Sequence, residues 1–386
     1  MGYLDQRRHS GLDSESSQAG KFLDSTACSG PRIKSGAADK EERDLRTPCA
    51  SLLRLIACST GLLAFILLTP LNGTAKEPRC LIKFATVAPD GSTWMKKMRE
   101  YDKEIREKSG GEIGFRFYPG GVAGDELDVL KKMRIGQIHC AAFSGVGFGQ
   151  ILPMVRVLDL PFFFRNDHES DMVHEEMFSF FSKRFDEKGF ELLAWAEVGN
   201  VYMFSKKPIQ KVSDFSGLKV WAWTGDPIAA ETFSTMGVNP IPLAITDVTT
   251  ALNTGMVDTV YAPILGALAL QWHNYVKNVL ALPFAHSTGA VLISSNYFNK
   301  MEDKYKALLK DSFGPAMGDL STTLHKQTRE ALKTIQDAGL TITPAPTGAA
   351  LNEFHQVHAR VAAKLTDRLY PKSVLDAVYD ILKRTR

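Results

Sequence analysis

Five cysteines in 386 residues are too few for a disulfide-built scaffold. Charge of one sign is lacking as well: 46 Lys and Arg stand against 43 Asp and Glu, a net +3. A nucleic-acid surface would concentrate basic residues, and none concentrate along this chain, so nucleic acid is not an expected partner. The sequence has no G-x-S-x-G, no H-E-x-x-H, no GxxxxGK[ST] and no dinucleotide fingerprint. These absences remove the common hydrolase, metalloprotease and nucleotide-binding classes, so no catalytic residue, cofactor or metal is assigned. What is present, 44% hydrophobic and 23% charged residues, is the composition of an ordinary folded protein long enough for two domains and an extra segment.

The extra segment is N-terminal. Residues 1–49 have no sustained apolar period and are expected to be disordered, or a mis-assigned extension of the reading frame with the true start near Leu45. Residues 50–75 have the architecture of a secretory signal: Arg43, Arg46 and Arg54 in front, an apolar run from Leu55 to Leu68, then Pro70 and small residues before a cut after Ala75. The run is shorter than the roughly 20 residues of a membrane span. Most of it follows Cys58, which argues against a lipid anchor at that cysteine. The exported chain would run over 76–386. Of its cysteines, Cys80 and Cys140, a disulfide and two free thiols both stay open. Neither spacing nor flanks suggest a staple, so thiols are preferred.

Along 76–386 the apolar pattern alternates between strand and helix. Leu81–Val87 predicts a strand, Ser92 caps a helix carrying Trp94, Met98, Tyr101 and Ile105, and Glu112–Tyr118 predicts a second strand. Asp125 caps the next helix, and Ile138–Phe143 follows as a strand. Gly145, Gly147 and Gly149 are read as a tight turn, because G-x-G-x-G has the wrong spacing for a dinucleotide loop. Further strands are expected at Phe190–Val198, Val201–Ser205, Gly217–Trp223, Val257–Tyr261 and Ala290–Ser294, with long helices over 311–337 and 348–369. The class is α/β with mixed sheets. His168, His174, Asp167 and Asp171 are read as a solvated helix surface, and so are Glu353, His355 and His358.

The informative residues are aromatics at strand ends. Trp221 and Trp223 share one face of their strand, Tyr261 ends another, and Phe143-Ser144 ends a third. In open α/β sheets ligands bind beyond the carboxyl ends of strands. The candidate ligand-binding set is therefore Phe143, Ser144, Trp221, Trp223 and Tyr261, joined by Thr224, Tyr202 and Asp125. Asp125 would accept from a ligand hydroxyl, with helix capping as its alternative role.

The segments FATVAPDGSTW, YPGGVAGDELDVLKKMRIGQIHCAAFS, LDLPFFF, SDFSGLKVWAW, MGVNPIPLAITDVTTALNTGMVDTVYAPI and LPFAHSTGAVLISSNYF together resemble the DctP-type solute receptors of tripartite ATP-independent periplasmic (TRAP) transporters. The resemblance implies a two-lobed, hinged periplasmic binding fold with a long helix spanning the lobes. It puts lobe one at 81–199, with a return near 285–325. It also implies an organic-acid solute, a monomeric receptor, and a permease of one small and one large membrane subunit as partner. Most such receptors hold the carboxylate with an Arg two residues past the Lys of a G-[LM]-K motif. Here Gly217-Leu218-Lys219-Val220 leads to Trp221, and the second Arg of sialate-type receptors falls at Val201. Without the bidentate Arg contact, the expected solute is more apolar, larger or less anionic than a C4-dicarboxylate. The competing readings are an exported enzyme, which would turn its ligand over, and a sensory module, which a neighbouring kinase gene would favour.

Overall fold

Strand β1 (Cys80–Ala85) opens a five-stranded sheet in a computed structural model that describes residues 77–386. The leader readings for residues 1–75 lie outside the described residues. Helix α1 (Thr93–Lys108) starts where Ser92 Oγ accepts from the Met95 amide, and it buries Met95, Met98, Tyr101 and Ile105 on one face. It returns the chain to β2 (Ile113–Tyr118), parallel to β1. A second crossover through α2 (Glu126–Arg134) leads to β3 (Cys140–Ser144), which pairs with β1 on its other side. In this register Cys140 faces Phe84, four residues from Cys80, so about 13 Å of strand separates the cysteines. A disulfide needs Cα atoms under about 7 Å apart, and both thiols are free.

The expected turn at 145–149 is instead a short helix, α3 (Gly145–Gly149), capped by Ser144. Its glycines answer to close approach, not to unusual backbone angles. A Cβ on Gly145 would stand 2.0 Å from Arg156 Nη1 and from Asp159 Oδ2, and one on Gly147 would stand 2.3 Å from the Phe143 ring. After a 3₁₀ segment at Pro153–Asp159 and α4 (Asp167–Asp186), β4 (Phe190–Trp195) closes the first sheet.

The chain then crosses to a second, four-stranded sheet. Its strands are β5 (Gly199–Ser205), β8 (Thr259–Pro263), β9 (Asn278–Ser287) and β11 (Thr341–Thr343). Between β5 and β8 run β6 (Trp221–Trp223), α5 (Pro227–Thr235), β7 (Ile241–Leu243) and α6 (Val248–Thr254), with α7 (Ile264–Ala269) following β8. Strand β9 was not expected, because Pro283 interrupts its pattern. The sheet absorbs that proline where the β5–β9 register shifts. From β9 the chain returns to the first sheet through β10 (Gly289–Ser294), which lies antiparallel between β3 and β4.

The two crossings, at 196–198 and 288, lie side by side. The Ala196 amide donates to Gly289 O at 2.8 Å, and the Val198 amide to Ser287 O at 3.3 Å. After the single turn α8 (Ser295–Phe298), helix α9 (Asp303–Asp337) begins eight residues earlier than its pattern suggested and continues through Pro315. At 1.5 Å per residue it is about 50 Å long. Its first half packs Leu309, Phe313 and Leu320 with the β1–α1 core, and its end packs Ala331 and Ile335 with the core of β6 and β8. This is the mixed α/β, two-lobed architecture with a helix common to both lobes. Helices α10 (Gly348–Leu365) and α11 (Lys372–Thr385) finish the chain. No helix among the described residues is long and apolar enough to cross a membrane.

The crossing is tight enough to test. A Cβ on Gly289 would stand 1.9 Å from Ala196 O, a backbone atom with nowhere to move. Gly289→Ala is expected to cost about 1–3 kcal/mol, read as a lowered denaturant midpoint.

Candidate functional site

The ends of β3, β6 and β8 converge on a cavity of about 520 Å³. Trp221, Trp223, Tyr261, Phe143 and Ser144 all line it. Trp221 is 1% exposed and stacks on Tyr261 with ring centroids 4.8 Å apart, while Trp272 meets it edge-on at 5.3 Å. Three aromatics outside the candidate set, Trp94, Trp272 and Phe284, also line the cavity.

The indole N–H groups do not point to a guest. Trp221 Nε1 donates to Leu243 O at 3.0 Å, and Trp223 Nε1 donates to both Asp125 oxygens at 3.1 and 2.9 Å. The two tryptophans therefore present carbon, not a donor, to the space they enclose. Asp125 is absent from the lining. It accepts from the Glu126 amide as cap of α2 and from Trp223 across the cleft, so its capping role is the one observed. Thr224 is exposed outside the cavity, and its amide donates to Leu243 O. Tyr202 is buried behind the wall, in the β6–β8 core.

Ser144 links the cavity to a buried acid. Glu126 accepts from the Ser144 amide at 2.7 Å, the Ser144 hydroxyl at 2.9 Å and the Gly147 amide at 2.7 Å. Burial nonetheless pushes its carboxyl from an ordinary 4.5 up to about 7, with these donors pulling the other way. The folded state thus holds this proton between about pH 4.5 and 7, where the unfolded chain releases it. The resulting stabilisation is complete below the unfolded value and is lost as pH rises through about 7. Glu126→Gln replaces one acceptor oxygen by an NH₂ facing backbone donors, so one buried N–H loses its partner. We expect it to cost about 1–3 kcal/mol and to flatten the fall in urea midpoint between pH 5 and 8.

Sequence reasoning missed the charged floor of the cavity. Arg156, 4% exposed, reaches Asp159 at 3.0 Å and Asp226 at 2.5 Å. Asp226 also caps α5 through the Ile228 and Ala229 amides and accepts from Tyr261 Oη at 3.3 Å. Asp159 accepts from the Thr288 amide at the crossing, and burial raises its carboxyl to about 6 although Arg156 opposes the shift. Among the lining residues Arg156 is the sole Lys or Arg, and two carboxylates already neutralise it. The signal was present in MVRVLDL: an Arg and an Asp three apart inside an apolar run have no solvent to face.

Two histidine readings are corrected. His174 is not at a solvated surface: it is buried, pairs with Thr288 Oγ1 at 3.0 Å, and burial pushes it down to about 3. His358 is tied to Pro161 O at 2.8 Å and to Tyr379 Oη at 3.0 Å, while His355 is exposed. At the far end of the cavity Glu197 and His286 line the wall and Asp167 lies beside them.

The model of the family described as bacterial extracellular solute-binding protein, family 7 (DctP), matches residues 84–365. A solute-binding protein of Verminephrobacter eiseniae is 27% identical over 204 residues, which is 52% of this chain and 60% of that protein. The C4-dicarboxylate-binding periplasmic protein DctP of Rhodobacter capsulatus is 22% identical over 321 residues, covering 82% of this chain and 92% of its own. Among solved structures, the sugar acid binding protein DctPAm of Advenella mimigardefordensis, in complex with galactonate, superposes with a TM-score of 0.76 at 19% identity. That alignment covers 80% of this chain and 99% of the other. The matched stretch thus spans about three fifths of the first relative's length and nearly all of the solved structure's. With its matched region running from β1 to the end of α10, the chain belongs to the bacterial extracellular solute-binding protein family 7.

Proposed function

We propose that this chain is the periplasmic solute receptor of a TRAP transporter. It encloses a small organic solute between its lobes and passes it unchanged to a permease of one small and one large membrane subunit. The relative named as a C4-dicarboxylate-binding periplasmic protein supports the receptor class. The solute-binding part is residues 76–386, following a leader at 50–75 without a lipid at Cys58, and the receptor acts as a monomer.

One observation carries the solute class. The cavity's single Lys or Arg, Arg156, is already held by Asp159 and Asp226, and its walls are Trp94, Trp221, Trp223, Tyr261 and Phe284. A dicarboxylate entering there would meet acidic groups with no free cation to offset its desolvation. A flat or alicyclic solute with at most one anionic group would bury its carbon on the rings instead. Phe143, Ser144, Trp221, Trp223 and Tyr261 are the proposed contacts.

Native mass spectrometry of the exported protein tests the class, and calorimetry tests the preference. A solute carried through purification and recovered unaltered is the expected result. Benzoate or cyclohexanecarboxylate is expected to bind more tightly than succinate or malate. Tight succinate binding with no uptake of cyclic acids would overturn the solute assignment, and turnover of a bound solute would overturn the receptor.

A further inference from the structure

We propose that Asp167, Glu197 and His286 form a binding site for a divalent transition-metal ion at the crossing between the lobes. One donor atom from each of the three lies within 4.8 Å of the others. Ligands on a tetrahedral Zn²⁺ at about 2.1 Å stand roughly 3.4 Å apart, so inward shifts of about 0.8 Å or less at each donor complete the set. Two carboxylates and one imidazole are the oxygen and nitrogen donors that such ions take.

The second observation is His286 itself. It is 4% exposed, and neither ring nitrogen has a hydrogen-bond partner among the described residues. A buried imidazole without a partner forfeits both of its polar contacts, which native structures seldom tolerate. The ring of Phe164 packs near-perpendicular to it at 5.9 Å and that of His174 tilted at 5.6 Å, while a ring nitrogen shares the cluster with Glu197 and Asp167. The surrounding groups are arranged as an outer shell. His325 Nε2 lies 2.7 Å from Glu197 Oε1 and fixes that carboxylate, and Asn200 Nδ2 donates to Asp167 Oδ1 at 2.8 Å.

The three donors come from separate segments. Glu197 sits in the first crossing, His286 stands near the end of β9 just before the second, and Asp167 begins α4. No spacing in the chain betrays them, which is why the sequence pointed to no metal. An ion there ties both crossings to α4. Since Glu197 and His286 also line the cavity, ions reach the site through the cleft.

The test uses chelator-treated full-length exported protein and Zn²⁺ alone. Calorimetry is expected to show one ion per chain. Co²⁺ in its place is expected to give the visible bands of a low-coordinate N/O site. His286→Ala should abolish saturable binding, His325→Ala should weaken it about 10–100-fold as an outer-shell change, and His355→Ala should leave it unchanged. Far-UV circular dichroism checks that each variant is folded, and His286→Asn gives a second, polar replacement. Absence of stoichiometric binding overturns the proposal. So does Zn²⁺ binding that survives both His286 variants, which would put the ion on surface groups. Solute binding is measured separately, so failure of the metal site leaves the receptor assignment standing.

Discussion

Arg156→Met is expected to lower unfolding free energy by about 3–5 kcal/mol, because it leaves Asp159 and Asp226 buried together without their cation. The side chain has no second arrangement available. Gly145 and Gly149 pack directly over it, at distances that would bring a Cβ to 2.0 Å from Nη1 and 2.5 Å from Cδ. Its two partners have structural duties: Asp226 starts α5, and Asp159 anchors the Thr288 amide at the second crossing. Adding Asp159→Asn to Arg156→Met removes one stranded charge. The double variant is therefore expected to be more stable than the sum of the two single losses. Urea titrations of the four proteins measure the cycle, and strict additivity would show that the groups do not act as a unit.

Trp221→Ala is expected to cost a similar amount, about 3–5 kcal/mol, and to abolish binding of cyclic solutes. The ring is nearly inaccessible and holds Tyr261 on one face and the edge of Trp272. Its removal leaves a void that the flanking strand β7 cannot fill. Trp221→Phe keeps most of the contact and removes one of the two hydrogen bonds to Leu243 O, which retains the Thr224 amide, a loss of about 1 kcal/mol. Calorimetry with cyclohexanecarboxylate separates the roles. Retained affinity in the alanine variant would show that the indole belongs to the core and not to solute contact.

Most of the first sheet was legible in the chain, because its crossovers carry strong local signals. Ser92 and Asp125 start α1 and α2 where side-chain caps and apolar period coincide. The second sheet was legible only in part. Strand β9 hides behind Pro283, and its pairing depends on a register shift that only the partner strand decides. The aromatic wall could be read because alternation along β6 fixes which side Trp221 and Trp223 share. Thr224 was drawn in by adjacency alone, and the pleat carries it to solvent. The charged floor and the Asp167–Glu197–His286 cluster could not be read this way, since their members meet only when distant segments pack. The glycines of α3 were visible, but their reason was not: it is the width of an arginine lying beneath them.

Both indole donors are committed to the protein's own oxygens, to Leu243 and to Asp125. Whatever rests against those rings is therefore sorted by outline. A surface of carbon separates neighbours in a homologous series by only about 1–3 kcal/mol per methylene. Such a receptor would gather a small assortment of similarly shaped nutrients, each competing with the rest, and supply in the surroundings would decide which one is carried.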